Sequence, residues 1–193
     1  IGPFCENEAD FFIDSTNYGP FGGVLTSGLP ISGDTLLISQ IIGGIQDSLT
    51  YSYTDSNGCF NSISVPLEVR VAPIVSFDVI AAGIDSICAN EPTFGLSGGL
   101  PLGGFFKGQG VVNDSAFNAN FGVFDTIPVT YVYDSLNGCS DSATANIYIK
   151  QPPSVLSVNI SSICLNDTVT VLSGGLPIGG EFHNSNISNN QLN

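Results

Sequence analysis

Two stretches of strict alternation stand out along the chain. From Thr50 it reads TYSYTDSNGC and from Thr130 TYVYDSLNGC. In the run after each, one parity is apolar: Ile63, Val65, Leu67, Val69 and Val71 after the first, Ala143, Ala145, Ile147 and Ile149 after the second. A period of two marks a strand with one buried face, and Tyr51 with Tyr53, like Tyr131 with Tyr133, carries the pattern upstream. Asn57-Gly58 and Asn137-Gly138 supply the positive φ angles of a tight turn. The pattern predicts two β-hairpins, with Cys59 and Cys139 on the apolar parity and therefore facing the core.

A second signature recurs beside the first. Ser97 to Gly104 reads SGGLPLGG and Ser173 to Gly180 reads SGGLPIGG, 76 residues further on, while Tyr18 to Gly23 (YGPFGG) is a degenerate copy. A cysteine precedes each, Cys5, Cys88 and Cys164, so cysteine, octet and hairpin travel as one module and the chain reads as a tandem repeat. Val71-Ala72-Pro73 and Gln151-Pro152-Pro153 close the long strands, because proline cannot donate to a ladder. The predicted domains are 1–73 (leading strand missing), 74–153 (complete) and 154–193 (first half only), abutting as a semi-rigid rod for want of a Gly/Ser spacer. The octet lacks GxGxxG spacing and precedes strands, which excludes a nucleotide cradle. It reads as a corner, with proline fixing φ and glycines doubling the backbone back.

Composition supports strands: the 193 residues include 23 Gly, 11 Pro, 13 Phe and 6 Tyr, and almost no helix is expected. Only Arg70, Lys107 and Lys150 oppose 17 acidic residues, a formal net charge of −14. Three cations cannot build the stripe that nucleic acid requires, and anionic membrane surfaces are disfavoured likewise. No apolar run is long enough to span a bilayer. With no Met and no export signal, the sequence reads as an internal piece of a longer chain.

Each complete repeat holds one cysteine near its first core strand and one at its last. Cys5–Cys59 and Cys88–Cys139 are therefore the expected disulfides, with Cys164 pairing beyond Asn193. Such bonds place the protein in an oxidising compartment. Zinc is not expected, since no C-x-x-C pair occurs and His183 is the only histidine; for the same lack of a base, no catalytic set converges and no enzyme is expected. The oxygens of Asp55, Asn57, Asp134 and Asn137 are weak calcium candidates at a seam between domains, against the plainer role of satisfying turn backbone. No other cofactor is implied.

Of 12 Asp residues, ten are followed by Ser or Thr, where about two are expected from the Ser and Thr content. Nine of these resemble the three-residue O-glycosylation signal of secreted Bacteroidota proteins, with Ser15, Thr35, Ser48, Ser86, Ser115, Thr126, Ser135, Ser142 and Thr168 as acceptors; ordinary turn formation is the alternative. The module as a whole, cysteine, apolar strand, SGGLPxGG, Tyr-x-Tyr, Asn-Gly-Cys and closing strand, resembles the immunoglobulin-like repeats of very long Bacteroidota cell-surface proteins, including gliding-motility adhesins exported by type IX secretion. The resemblance implies tandem immunoglobulin-like β-sandwiches of about 75–80 residues, at the cell surface, acting as a structural stalk or filament segment of an adhesin. Its partners would be neighbouring repeats and, in a filament, other copies of the chain. Two alternatives stand beside it. One is a carbohydrate- or surface-binding module using Phe105, Phe106 or Tyr18, and the other a filament subunit whose open edges are completed by strand exchange.

Overall fold

A computed structural model describes residues 2–14, 19–20, 22–80, 82–156, 170–183 and 186–192. The expected hairpins are its longest elements. β6 (Ile45–Thr54) pairs antiparallel with β7 (Phe60–Arg70) from Ile45↔Val69 to Thr54↔Phe60, and β15 (Thr126–Asp134) with β16 (Ser140–Lys150) from Thr126↔Tyr148 to Asp134↔Ser140. Gly58 and Gly138 take the positive φ that closes each turn, and their amides donate to Asp55 O (3.0 Å) and Ser135 O (2.9 Å).

Around each hairpin the same sheet forms. In the first, β1 (Phe4–Cys5) lies parallel to β7, and β3 (Val24–Thr26) flanks β6, giving the order β1-β7-β6-β3. In the second, β9 (Ser86–Cys88) lies parallel to β16, and β12 (Phe105–Gly108) flanks β15, giving β9-β16-β15-β12. A smaller three-stranded sheet packs on each. It is β2 (Phe11–Phe12), β5 (Thr35–Leu36) and β4 (Ile31–Ser32) in the first unit. In the second it is β10 (Phe94–Gly95), β14 (Ala116–Phe117) and β13 (Val111–Val112), with β8 (Ser76–Phe77) paired to β11 (Gly99–Leu100). Among its described residues the third stretch repeats the small sheet, as β17 (Thr170–Val171), β19 (Gln191–Leu192) and β18 (Ile187–Ser188), and a single bridge, Leu156↔Leu176, in the place of the β8–β11 pairing; Asn189 and Asn190 repeat the left-handed Asn113 and Asp114. Among the described residues the chain is all-β, the one helical turn being a 3-10 turn at Ile38–Gln40.

Each unit has its own core between its sheets. The first gathers Phe4, Ile13, Leu36, Ile38, Leu49, Leu67 and Val69, the second Phe106, Phe117, Ile127, Val129, Tyr131, Ile147 and Ile149. Burial of each such aliphatic or aromatic side chain is worth about 1.5–3 kcal/mol. Alternation holds only along the second half of β7, where Leu67 and Val69 are buried. Ile63, nearer the turn, is exposed, and so is Cys59, contrary to the parity expectation.

The octet and the Tyr-x-Tyr signature turn out to be two parts of one contact. Tyr131, 3% exposed, donates its hydroxyl hydrogen to Pro101 O and accepts from Gly104 N at 2.7 Å. A Cβ on Gly99 would lie 2.5 Å from the Tyr131 ring, and one on Gly104 2.3 Å from Val132 O. The glycines are there so that the loop can close over the tyrosine. In the first unit Tyr51 donates to Pro20 O and accepts from Gly23 N at 2.9 Å. The drifted copy YGPFGG thus retains the proline and the glycines that the contact uses.

Candidate functional site

Where the two units meet, the turn of the second hairpin sits against the end of the first unit's long strand. β1 is set parallel to β7 with Cys5 opposite Arg70, which brings Cys5 to the C-terminal end of that strand. Cys139 immediately precedes β16, at the turn of the second hairpin. The two are joined as a disulfide across the junction, Cα to Cα 5.6 Å and 134 residues apart in sequence.

This replaces both expected pairings. Cys59 and Cys5 occupy opposite ends of the 11-residue β7, and Cys139 and Cys88, the latter opposite Lys150, opposite ends of the 11-residue β16. A strand of that length spans roughly 35 Å, whereas a disulfide tolerates Cα separations of no more than about 7 Å. Cys5–Cys59 and Cys88–Cys139 are therefore not formed; Cys59 and Cys88 are free thiols, one exposed and one half-buried. Cys139 is 1% exposed, but against Cys5 of the first unit and not in its own core. Cys164 lies outside the described residues.

Polar contacts surround the bond. Arg70 donates from Nε to Glu68 Oε1 at 3.1 Å and from Nη2 to Glu68 Oε2 at 3.3 Å, leaving Nη1 to donate to Asn137 O at 2.6 Å. The Arg70–Glu68 pair is half-exposed and worth at most about 1 kcal/mol. Its effect here is to aim the guanidinium at the hairpin. Asn137 Nδ2 donates to Val71 O at 2.8 Å, and Asn7 Nδ2 to Ser140 O at 2.9 Å. Beneath them Glu6 ties down the exit of the first unit, its carboxylate accepting from Gly43 N at 2.6 Å and Ala72 N at 3.0 Å. Hydrogen bonds to a charged group contribute about 1.5–3 kcal/mol each. Gly43 is required by the same closeness, since a Cβ there would lie 2.6 Å from Val71 Cα. Sequence reasoning missed Glu6, Asn7 and Arg70. The available signal was that two of three cations, Arg70 and Lys150, end equivalent strands.

Of the calcium candidates, Asp55, Asn57 and Asn137 are engaged in or around the turns. Asp55 Oδ1 accepts from Asn57 N at 2.9 Å and Cys59 N at 2.8 Å, and the hydrogen bond from Cys59, ahead of the others, holds its carboxyl below the ordinary carboxylate value. Asn137 is engaged by Arg70, Val71 and Cys139 N, and Asp134 closes β15 opposite Ser140. Among the described residues no three His, Cys, Asp or Glu side chains converge. His183 is exposed, 3.7 Å from Glu181.

Of the glycan acceptors, Ser48, Thr126 and Ser142 are exposed on long strands, and the amide of each donates to Oδ1 of the preceding aspartate at 2.7 Å. Ser115 is exposed with its hydroxyl donating to Asn113 O, Thr35 and Ser135 are half-buried, and Ser86 Oγ accepts from Lys150 Nζ at 2.9 Å. Ser15 and Thr168 lie outside the described residues, as does Tyr18. Phe106 does not face a ligand: it is buried against Phe77 and Tyr131. Phe105 is half-buried under Lys107, whose Nζ stands 4.7 Å from the ring centroid. Among the described residues no helix is long and apolar enough to cross a membrane, and the disulfide fits an oxidising environment. No protein-family model matches the chain, and no curated protein matches it significantly.

Proposed function

We propose that the chain is a load-bearing segment of an extracellular stalk or filament, of the immunoglobulin-like repeat kind carried by bacterial surface adhesins. One observation carries the reading: consecutive units are fastened end to end by Cys5–Cys139. An intradomain bond would stabilise one core, whereas this bond fixes the direction in which one unit follows the next. The hydrogen bonds of Arg70, Asn137 and Asn7 set the same direction without covalent help. Rigid joints give reach to whatever a stalk presents, and a charge of −14 keeps a crowded surface protein soluble. Exposed Ser48, Thr126 and Ser142 would carry glycans along the sides of such a rod.

Small-angle X-ray scattering of the oxidised chain, before and after reduction, tests the reading. An elongated particle of fixed maximum dimension is expected, with a broader distance distribution once the bond is reduced. Units that articulate freely while oxidised would overturn it.

A further inference from the structure

The two cysteines left free among the described residues, Cys59 and Cys88, have the places of the two halves of the bond that Cys5 and Cys139 make. Cys88 has in the second unit the place of Cys5 in the first. It lies opposite the cation that ends the long strand, Lys150 for Arg70; Ala89 N donates to Lys150 O at 3.0 Å as Glu6 N does to Arg70 O at 3.0 Å; and Glu91 N donates to Cys88 O at 3.1 Å as Glu8 N does to Cys5 O at 2.9 Å. Cys59 has the place of Cys139, with Asp55 N donating to Cys59 O at 3.0 Å as Ser135 N does to Cys139 O at 2.8 Å. They differ in what covers them: the first unit covers Cys139, while Cys59 is exposed and Cys88 opens on a cavity of about 340 Å³ lined by Ser86, Glu91, Phe94 and Lys150.

We infer that Cys5–Cys139 is one rung of a covalent ladder. Cys88 bonds the cysteine of an Asn-Gly-Cys hairpin docked on the end of the second unit, and Cys59 bonds the strand-end cysteine of a unit docked ahead of the first. Lys150 would meet the incoming hairpin carbonyl as Arg70 meets Asn137 O. The hairpin comes either from the next unit of the same chain or from Asn57-Gly58-Cys59 of a second copy; the recognition chemistry is the same. Each rung forms by thiol–disulfide exchange with a small disulfide such as oxidised glutathione. One cysteine thiolate attacks it and expels a thiolate, and the second cysteine thiolate then attacks the mixed disulfide and expels the other. Two cysteines lose two protons and two electrons, and the oxidant leaves as two thiols.

The ladder rests on the stalk reading and gives it a mechanical consequence. Because each rung joins a strand-end cysteine to the hairpin of the following unit, the shortest covalent path through two units runs along the chain only from Cys59 to Cys88, 29 residues. Fully extended that is about 100 Å, against about 70 Å for two strands of eleven residues laid end to end. An array so linked could lengthen by less than half even with its cores unfolded.

The test is a disulfide map of native protein, harvested with thiols blocked and digested without reduction, beside non-reducing electrophoresis of the intact material. Cys88 is expected in a bond to an Asn-Gly-Cys peptide and Cys59 in a bond to a strand-end cysteine. A mass that falls on reduction assigns the partner to a second copy, and an unchanged mass assigns it to the same chain. Recovery of Cys59 and Cys88 as blocked thiols, or bonded to each other within one chain, with Cys5–Cys139 intact, would overturn the ladder and leave the stalk reading standing. Loss of Cys5–Cys139 itself would overturn both.

Discussion

Tyr131 shows how a single side chain accounts for two sequence signatures. Its ring needs Gly99 and Gly104 to be bare, and its hydroxyl satisfies Pro101 O and Gly104 N. Tyr131→Phe should therefore leave two part-buried backbone groups without a partner and lower stability by about 1–3 kcal/mol, measured by denaturant unfolding. Gly104→Ala should cost at least as much, because the new Cβ meets backbone and not a mobile side-chain end, whereas at Gly103 a Cβ would find open space and only the positive φ opposes it. Asp55 makes a prediction of opposite character. Its carboxyl is held below the ordinary value of 3.8, chiefly by the hydrogen bond from Cys59 N. A depressed folded pKa contributes stability that is fully present above the unfolded value and is lost as pH falls through the folded one. Amide exchange at Cys59 should accelerate as the pH drops below 3.8. Asp55→Asn should remove that dependence, and Cys139, whose turn begins at Ser135, should not show it.

At the scale of the element, both hairpins, their Asn-Gly turns and the near absence of helix were legible because period two and positive-φ residues are local properties. Cysteine pairing was not, for a physical reason. Parity tells which face of a strand a residue lies on and says nothing of which end it shares with a distant partner. What decides the bond is the parallel register of β1 on β7, a two-residue strand whose position no pattern announces. Parity also overreached at Ile63, which is 52% exposed because the turn half of β7 projects past the core. The octet was legible as a bend, but its dependence on Tyr131 was not, since the two are some 30 residues apart. Arg70→Ala should test the junction without touching a cysteine. In the reduced protein it should loosen the orientation of the units, read as a broader scattering distribution, while each core unfolds at its usual denaturant concentration.

For the whole molecule the consequence is a route for force. With Cys5 bonded to Cys139, load applied at the two ends bypasses every residue between them, which includes both hairpin turns and the core of the first unit. Pulling the chain from its termini should release roughly 470 Å less contour length when oxidised than when reduced, counting ~3.5 Å for each shielded residue. Cys5→Ser and Cys139→Ser should each abolish the difference, and the double variant should match either single one, since both remove one bond. Whether the units are joined to each other or each closed upon itself is decided by a peptide map of the oxidised chain made without reduction. Cys5 and Cys139 should appear in one cross-linked fragment with Cys59 and Cys88 outside it; fragments joining Cys5 to Cys59 and Cys88 to Cys139 would mean that each unit is closed upon itself.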